Sequence, residues 1–138
     1  MAIPASREAR LFYRCSVQRY EEAQILLRAK RTTGAVYLAG YGVECVLKAL
    51  ILSVVPAKRS RVVIQTFRGN RAHDYEWLRA QYYERGGPHF PREVNLCFTL
   101  ASSWSTKLRY TPANLKFGDA EDFLSAVATI IDWAKRRL

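Results

Sequence analysis

Residues 33–55 read TGAVYLAGYGVECVLKALILSVV, and the fold of the chain turns on what this stretch is. Apolar on nearly every side, it suits a helix buried at the centre of a domain. Glu44 and Lys48 interrupt it four residues apart, in the order that lets a helix pair them on one face. At the middle of a bilayer each charge would cost roughly 2.5–3.5 kcal/mol, so a core helix is expected rather than a membrane span. At about 100° per residue, Tyr37, Tyr41, Glu44 and Lys48 fall on one polar-tipped stripe that can face a partner or a cleft. Leu38, Val46 and Leu50 then face other helices.

Working outward, residues 6–29 read as a first helix, with Phe12, Cys15, Tyr20, Ala23, Leu26 and Leu27 recurring at threes and fours. Arg31, Thr32, Thr33 and Gly34 break the pattern, and Thr33 is the expected cap of the central helix. A short loop of this kind makes the two helices antiparallel neighbours. Pro56 ends the central helix, because the residue before a proline is pushed out of helical geometry. Residues 61–67, RVVIQTF, are too short to type: a strand-like arm and a helical turn both fit. Asp74 is the expected cap of a third helix running to residue 84 or 85, stopped by Gly86 and Gly87. Its stripe is Tyr75, Leu78 and Tyr82, with Trp77 beside it. Pro91 suits the first position of a fourth helix, with Val94, Cys97, Ala101, Trp104 and Leu108 on one face. Residues 111–118 form a loop. A last helix starts at Asp119, buries Phe123, Val127, Ile130 and Ala134, and carries Lys135, Arg136 and Arg137 at its negative end. Five helices with no sheet and no repeat predict an all-α, up-and-down bundle, one domain over residues 1–138.

A chain of 138 residues, 49% hydrophobic, can bury the core such a bundle needs. Cys15, Cys45 and Cys97 stand apart with no metal-type spacing, so reduced buried thiols are expected and neither a metal nor a cofactor is. Arg7, Glu8, Arg10 and Arg14 leave the N-terminus without the apolar run of a secretory leader, which predicts a cytoplasmic protein that does not enter a membrane.

The 22 basic residues against 12 acidic ones give a formal charge of +10, which calls for an anionic partner such as RNA or DNA. The charge is uneven. Between Glu44 and Asp74 there is no acid, whereas Lys48, Lys58, Arg59, Arg61, Arg68 and Arg71 all fall there. Lys58, Arg59 and Arg61 are the expected RNA contacts; a solvated basic loop is the plainer alternative.

Within this segment, residues 68–75 read RGNRAHDY. If Asp74 caps a helix, His73 lies just outside a helix N-terminus, where free N–H groups and the dipole favour a phosphate. Positive surroundings favour neutral His73, the form that accepts a proton. Cleaving RNA without a metal requires a base for the 2′-hydroxyl proton and a group that stabilises charge at the adjacent phosphorus. Histidine and arginine suit those tasks. On an unbroken helix Arg68 and His73 would point roughly 140° apart, so the bend at Gly69 and Asn70, or a second subunit, must bring them onto one phosphate. Asn70 can add a hydrogen bond, and Arg71, nearer to His73, is a rival phosphate ligand. His89, in a Gly and Pro turn, reads as a loop residue.

The segments AVYLAGYGVECVLKALIL (residues 35–52), HDYEWL (73–78) and WSTKLRY (104–110), with the closing helix, resemble the HEPN domain from about Tyr20 to the C-terminus. The resemblance implies a small all-α fold whose members are often ribonucleases. Those members carry an arginine and a histidine separated by four to six residues and work as homodimers in which two such motifs meet. Arg68 and His73 fit that pattern as catalytic residues, with Glu44, Asn70 and Arg71 in support. Gly69 stands where relatives commonly have Asn, Asp or His. Toxins of this kind, paired with a minimal nucleotidyltransferase antitoxin, extend the motif by a tyrosine that receives AMP, and Tyr75 fits that position. The resemblance thus implies an endoribonuclease toxin of a toxin–antitoxin or defence system. The alternative it leaves open is a non-catalytic module binding a nucleotide, RNA or a nucleotidyltransferase partner.

Overall fold

In the computed structural model, which describes residues 6–103 in full, the backbone of 104–108, and residues 115–138, the central stretch forms α2 (Thr32–Ser53). Every residue from Gly42 to Leu52 is buried. α1 (Arg7–Arg28) folds back on it across a three-residue link in which Lys30 takes φ 64°. The antiparallel hairpin is fixed by matched contacts about that link. A Cβ on Gly34 would meet Leu26, and farther along the Ser16 hydroxyl donates to the Gly42 carbonyl at 2.7 Å. α2 is long and apolar enough to cross a bilayer, yet 83% of that window is buried inside the protein, as befits the centre of a bundle.

Six α-helices, rather than the expected five, occur among the described residues. The additional one, α3 (Ser60–Gln65), lies in the stretch that sequence left untyped and follows a 3₁₀ turn, Ala57–Arg59. It forms because one turn of helix turns Val63 into the core and sets Ile64 and Phe67 against it, with Phe67 edge-on to Phe12 at 6.1 Å. The expected Thr33 cap is also corrected. α2 begins at Thr32, with Arg31 in the cap position and no side-chain cap, and the Thr32 hydroxyl donates to the Leu115 carbonyl at 2.8 Å, tying α2 to the stretch just before the last helix.

α4 (Tyr75–Glu84) is capped as expected, Asp74 Oδ1 accepting from the Trp77 N–H at 3.1 Å. Its Tyr75, Leu78 and Tyr82 are buried. α5 (Arg92–Leu108) buries Val94 and Ala101, half-buries Cys97, and adds Phe98, which packs against Phe90 at 5.7 Å. The side chains of Trp104 and Leu108, and residues 111–114 of the expected loop, lie outside the described residues. α6 (Phe117–Lys135) starts two residues before the expected Asp119 and buries Phe123, Val127, Ile130 and Ala134 as its spacing requires. It packs across α1, α2 and α5.

Candidate functional site

Between α3 and α4 the chain crosses the C-terminal half of the polar stripe on α2. Arg68 is extended, Gly69 turns at φ +69°, and Gly69–His73 wind as a 3₁₀ turn that ends where Asp74 caps α4. That left-handed backbone strains any side chain bearing a Cβ, which gives a local reason for glycine after Arg68.

The turn sets His73 over Glu44. His73 Nδ1 lies 3.0 Å from Glu44 Oε1, and Lys48 Nζ lies 2.7 Å from Glu44 Oε2. The Glu44 and Lys48 side chains are 7% and 9% exposed, while that of His73 is 52% exposed. One carboxylate therefore bridges a buried cation and a surface imidazole. A carboxylate oxygen only accepts, so neutral His73 must carry its proton on Nδ1 and keep the lone pair on Nε2, the nitrogen free to take a proton. Lys48 compensates the buried charge of Glu44. Its ammonium also stands 5.5 Å from the Phe67 ring centroid. Sequence had paired Glu44 with Lys48; the third member, His73, comes from 29 residues away.

The other expected site residues distribute around this triad. Arg68 and Asn70 are exposed and engage no side chain among the described residues. The Arg71 guanidinium stands 6.0 Å from the Trp77 ring centroid. Lys58, Arg59 and Arg61 are exposed on the 3₁₀ turn and the start of α3. The α4 N-terminus, expected to take a phosphate, already holds the Asp74 carboxylate, so positive charge for a phosphate must come from the arginines. Tyr75 is 6% exposed, and its hydroxyl donates to the Gly40 carbonyl. A Cβ on Gly40 would stand 2.9 Å from that hydroxyl, so glycine is what admits the phenol. In this conformation Tyr75 is a core aromatic, and adding AMP to it requires the start of α4 to leave α2. His89 is stacked on Tyr83, with centroids 3.9 Å apart, away from the triad. A cavity of about 370 Å³ between α5 and α6, lined by Pro91, Val94, Trp133 and Arg136 among others, contains none of these residues. Among the described residues no group of three or more His, Cys, Asp or Glu side chains could hold a metal ion.

An all-helical bundle that presents a carboxylate-oriented histidine beside exposed arginines belongs to the class of small α-helical domains with a polar site laid across a buried helix. The family follows from the chain as a whole: the HEPN domain model matches residues 9–138, so this chain is a member of the HEPN domain family. Comparison with curated proteins and with solved structures returned no significant match.

Proposed function

We propose that the chain is a metal-independent endoribonuclease of HEPN type, with His73 as general base and Arg68 as the phosphate ligand that stabilises the transition state. The observation that carries this reading is the Glu44–His73 hydrogen bond, which leaves Nε2 able to accept a proton on a half-exposed ring. Nε2 takes the proton of an RNA 2′-hydroxyl as that oxygen attacks the adjacent phosphorus. The bond to the 5′-oxygen breaks, and that oxygen leaves with a proton from solvent or from an imidazolium. The products are a 2′,3′-cyclic phosphate and a 5′-hydroxyl. Arg68, extended and unengaged at the far end of a five-residue turn, is proposed to meet the phosphate in a homodimer, where two copies of the turn face one strand. Arg71 and Asn70 add contacts to the phosphate oxygens.

Toxicity under an antitoxin's control is proposed with it. Tyr75 anchors the first turn of α4, two residues after His73, so AMP added there by a nucleotidyltransferase would pull the turn and its histidine off Glu44. The test is cleavage of a single-stranded RNA by the purified protein, with products typed by end chemistry. His73→Ala and Arg68→Ala should each lower the rate about a hundredfold or more and leave RNA bound. Equal cleavage by His73→Ala sinks the catalytic assignment. Tight RNA or nucleotide binding with no cleavage by the wild-type protein would favour the non-catalytic module.

A further inference from the structure

The stripe on α2 is covered only at its C-terminal half. Phe67 and the turn bearing His73 lie over Lys48 and Glu44, whereas Tyr41 and Tyr37 are 42% and 64% exposed. On a regular helix, Tyr37, Tyr41 and Glu44 fall within an arc of about 60°, the tyrosines about 6 Å apart along the axis and Tyr41 about 4.5 Å from Glu44. The Tyr41 phenol is held above its ordinary value by Cys45 first, then by partial burial, Glu44 and Cys15, with Arg19 opposing.

We infer that Tyr37 and Tyr41 form a base-stacking track for single-stranded RNA that delivers the strand to His73 and fixes its register there. The inference rests on the ribonuclease reading and names the form of RNA that site takes. Three features select this occupant. Apart from Gly34, these two tyrosines are the exposed residues of α2, so the face offers two aromatic planes on which bases can stack. Their spacing along the helix exceeds the 3.4 Å rise of a stacked strand, so each ring takes its own splayed base, as single strands permit and duplexes do not. Charge complements the strand at the end of the track where it would be cut: beyond His73 come the exposed Arg71, Arg68 and the Lys58–Arg61 group.

The experiment measures dissociation constants of wild type, Tyr37→Ala, Tyr41→Ala, Tyr37→Phe and Tyr41→Phe for an uncleavable 2′-O-methyl single strand and for duplex RNA. Oligomeric mass and helical content are followed in parallel. Each alanine should weaken single-strand binding about 5- to 150-fold, each phenylalanine should restore it, and the mass should not change. Duplex binding should be weaker than single-strand binding and indifferent to the substitutions. Alanine variants that bind the single strand as wild type does overturn the track, and if His73-dependent cleavage persists, the ribonuclease reading survives that failure. Binding lost together with a drop in oligomeric mass shows that the tyrosines hold a protein interface and overturns the track as well. A wild-type protein that binds no RNA overturns both readings.

Discussion

Glu44 Oε1 lies 3.0 Å from His73 Nδ1, and through that contact the most buried helix of the bundle governs a side chain at its surface. The bond holds the ring in one tautomer and one orientation. Glu44→Gln keeps the size of the side chain but must turn its amide N–H either to Lys48, losing that contact, or to His73 Nδ1, which then has to accept and leaves the ring proton on Nε2. Cleavage should fall on the order of tenfold to a hundredfold with RNA affinity nearly unchanged. An unaltered rate would show that Glu44 does not position His73.

Lys48 belongs to the same unit but is expected to act on stability. Lys48→Met removes the ammonium 2.7 Å from a carboxylate that stays buried, and breaking a buried pair on one side costs about 3–5 kcal/mol. The double variant Glu44→Met, Lys48→Met removes both charges and should recover most of that loss while remaining inactive. Urea unfolding of the three proteins decides it. If the double variant is no more stable than Lys48→Met, the pair is not the source of the effect.

Much of the architecture was legible because it depends on local rules. Asp74 caps α4 and the spacing of Phe123, Val127, Ile130 and Ala134 on α6 predicts what is buried. What was not legible depends on contacts distant in sequence. Thr33 and Thr32 look alike as caps, and nothing local shows that the Thr32 hydroxyl reaches the Leu115 carbonyl, 83 residues away. RVVIQTF has too few residues to show a period, and its helical turn is decided by the core beneath Val63. At the site, residue types and the HEPN resemblance marked Glu44, Arg68, His73 and Tyr75, but no spacing shows that Glu44 and His73 touch. The stripe of Tyr75, Leu78 and Tyr82 does turn Tyr75 inward, but no spacing shows that its hydroxyl reaches the Gly40 carbonyl, where a Cβ would crowd it.

The exposed Lys58, Arg59 and Arg61 should bind phosphate without regard to sequence. Replacing all three by alanine should weaken RNA binding and flatten the plot of log affinity against log salt by about 2, at about 0.7 per phosphate contact on a single strand. His73→Ala should leave that slope as it is. A triple variant with the wild-type salt slope would remove these residues from the RNA path.

Tyr75 offers two separable outcomes. Tyr75→Phe deletes the hydrogen bond to Gly40, whose carbonyl keeps its helical bond within α2, and should cost about 0.5–1.5 kcal/mol in urea unfolding. On coexpression with a minimal nucleotidyltransferase, wild type should gain the mass of one AMP, lose its cleavage activity and become more accessible to hydrogen exchange around His73. Tyr75→Phe should gain no such mass. An unchanged intact mass for wild type would discard control through this tyrosine.

Alkaline pH tests the packing of α1 against α2. Burial, followed by Cys15 and Glu44 nearby, pushes the Cys45 thiol up to about 12 from an ordinary value of 9.0, with Lys48 pulling it down. Below the ordinary value the thiol keeps its proton folded or unfolded, and this contribution to stability is fully present. Between the two values the unfolded chain has released the proton and the native chain has not, so the native state binds more protons and stability falls as pH rises. Tyr82, whose phenol burial raises to about 12, adds a loss of the same sign over a narrower range. Urea midpoints from about pH 8 to about pH 11 should therefore decline in wild type and decline less in Cys45→Ala, the remaining slope belonging to Tyr82 and other groups. Parallel curves for the two proteins would mean that Cys45 is not held as a buried thiol beside α1.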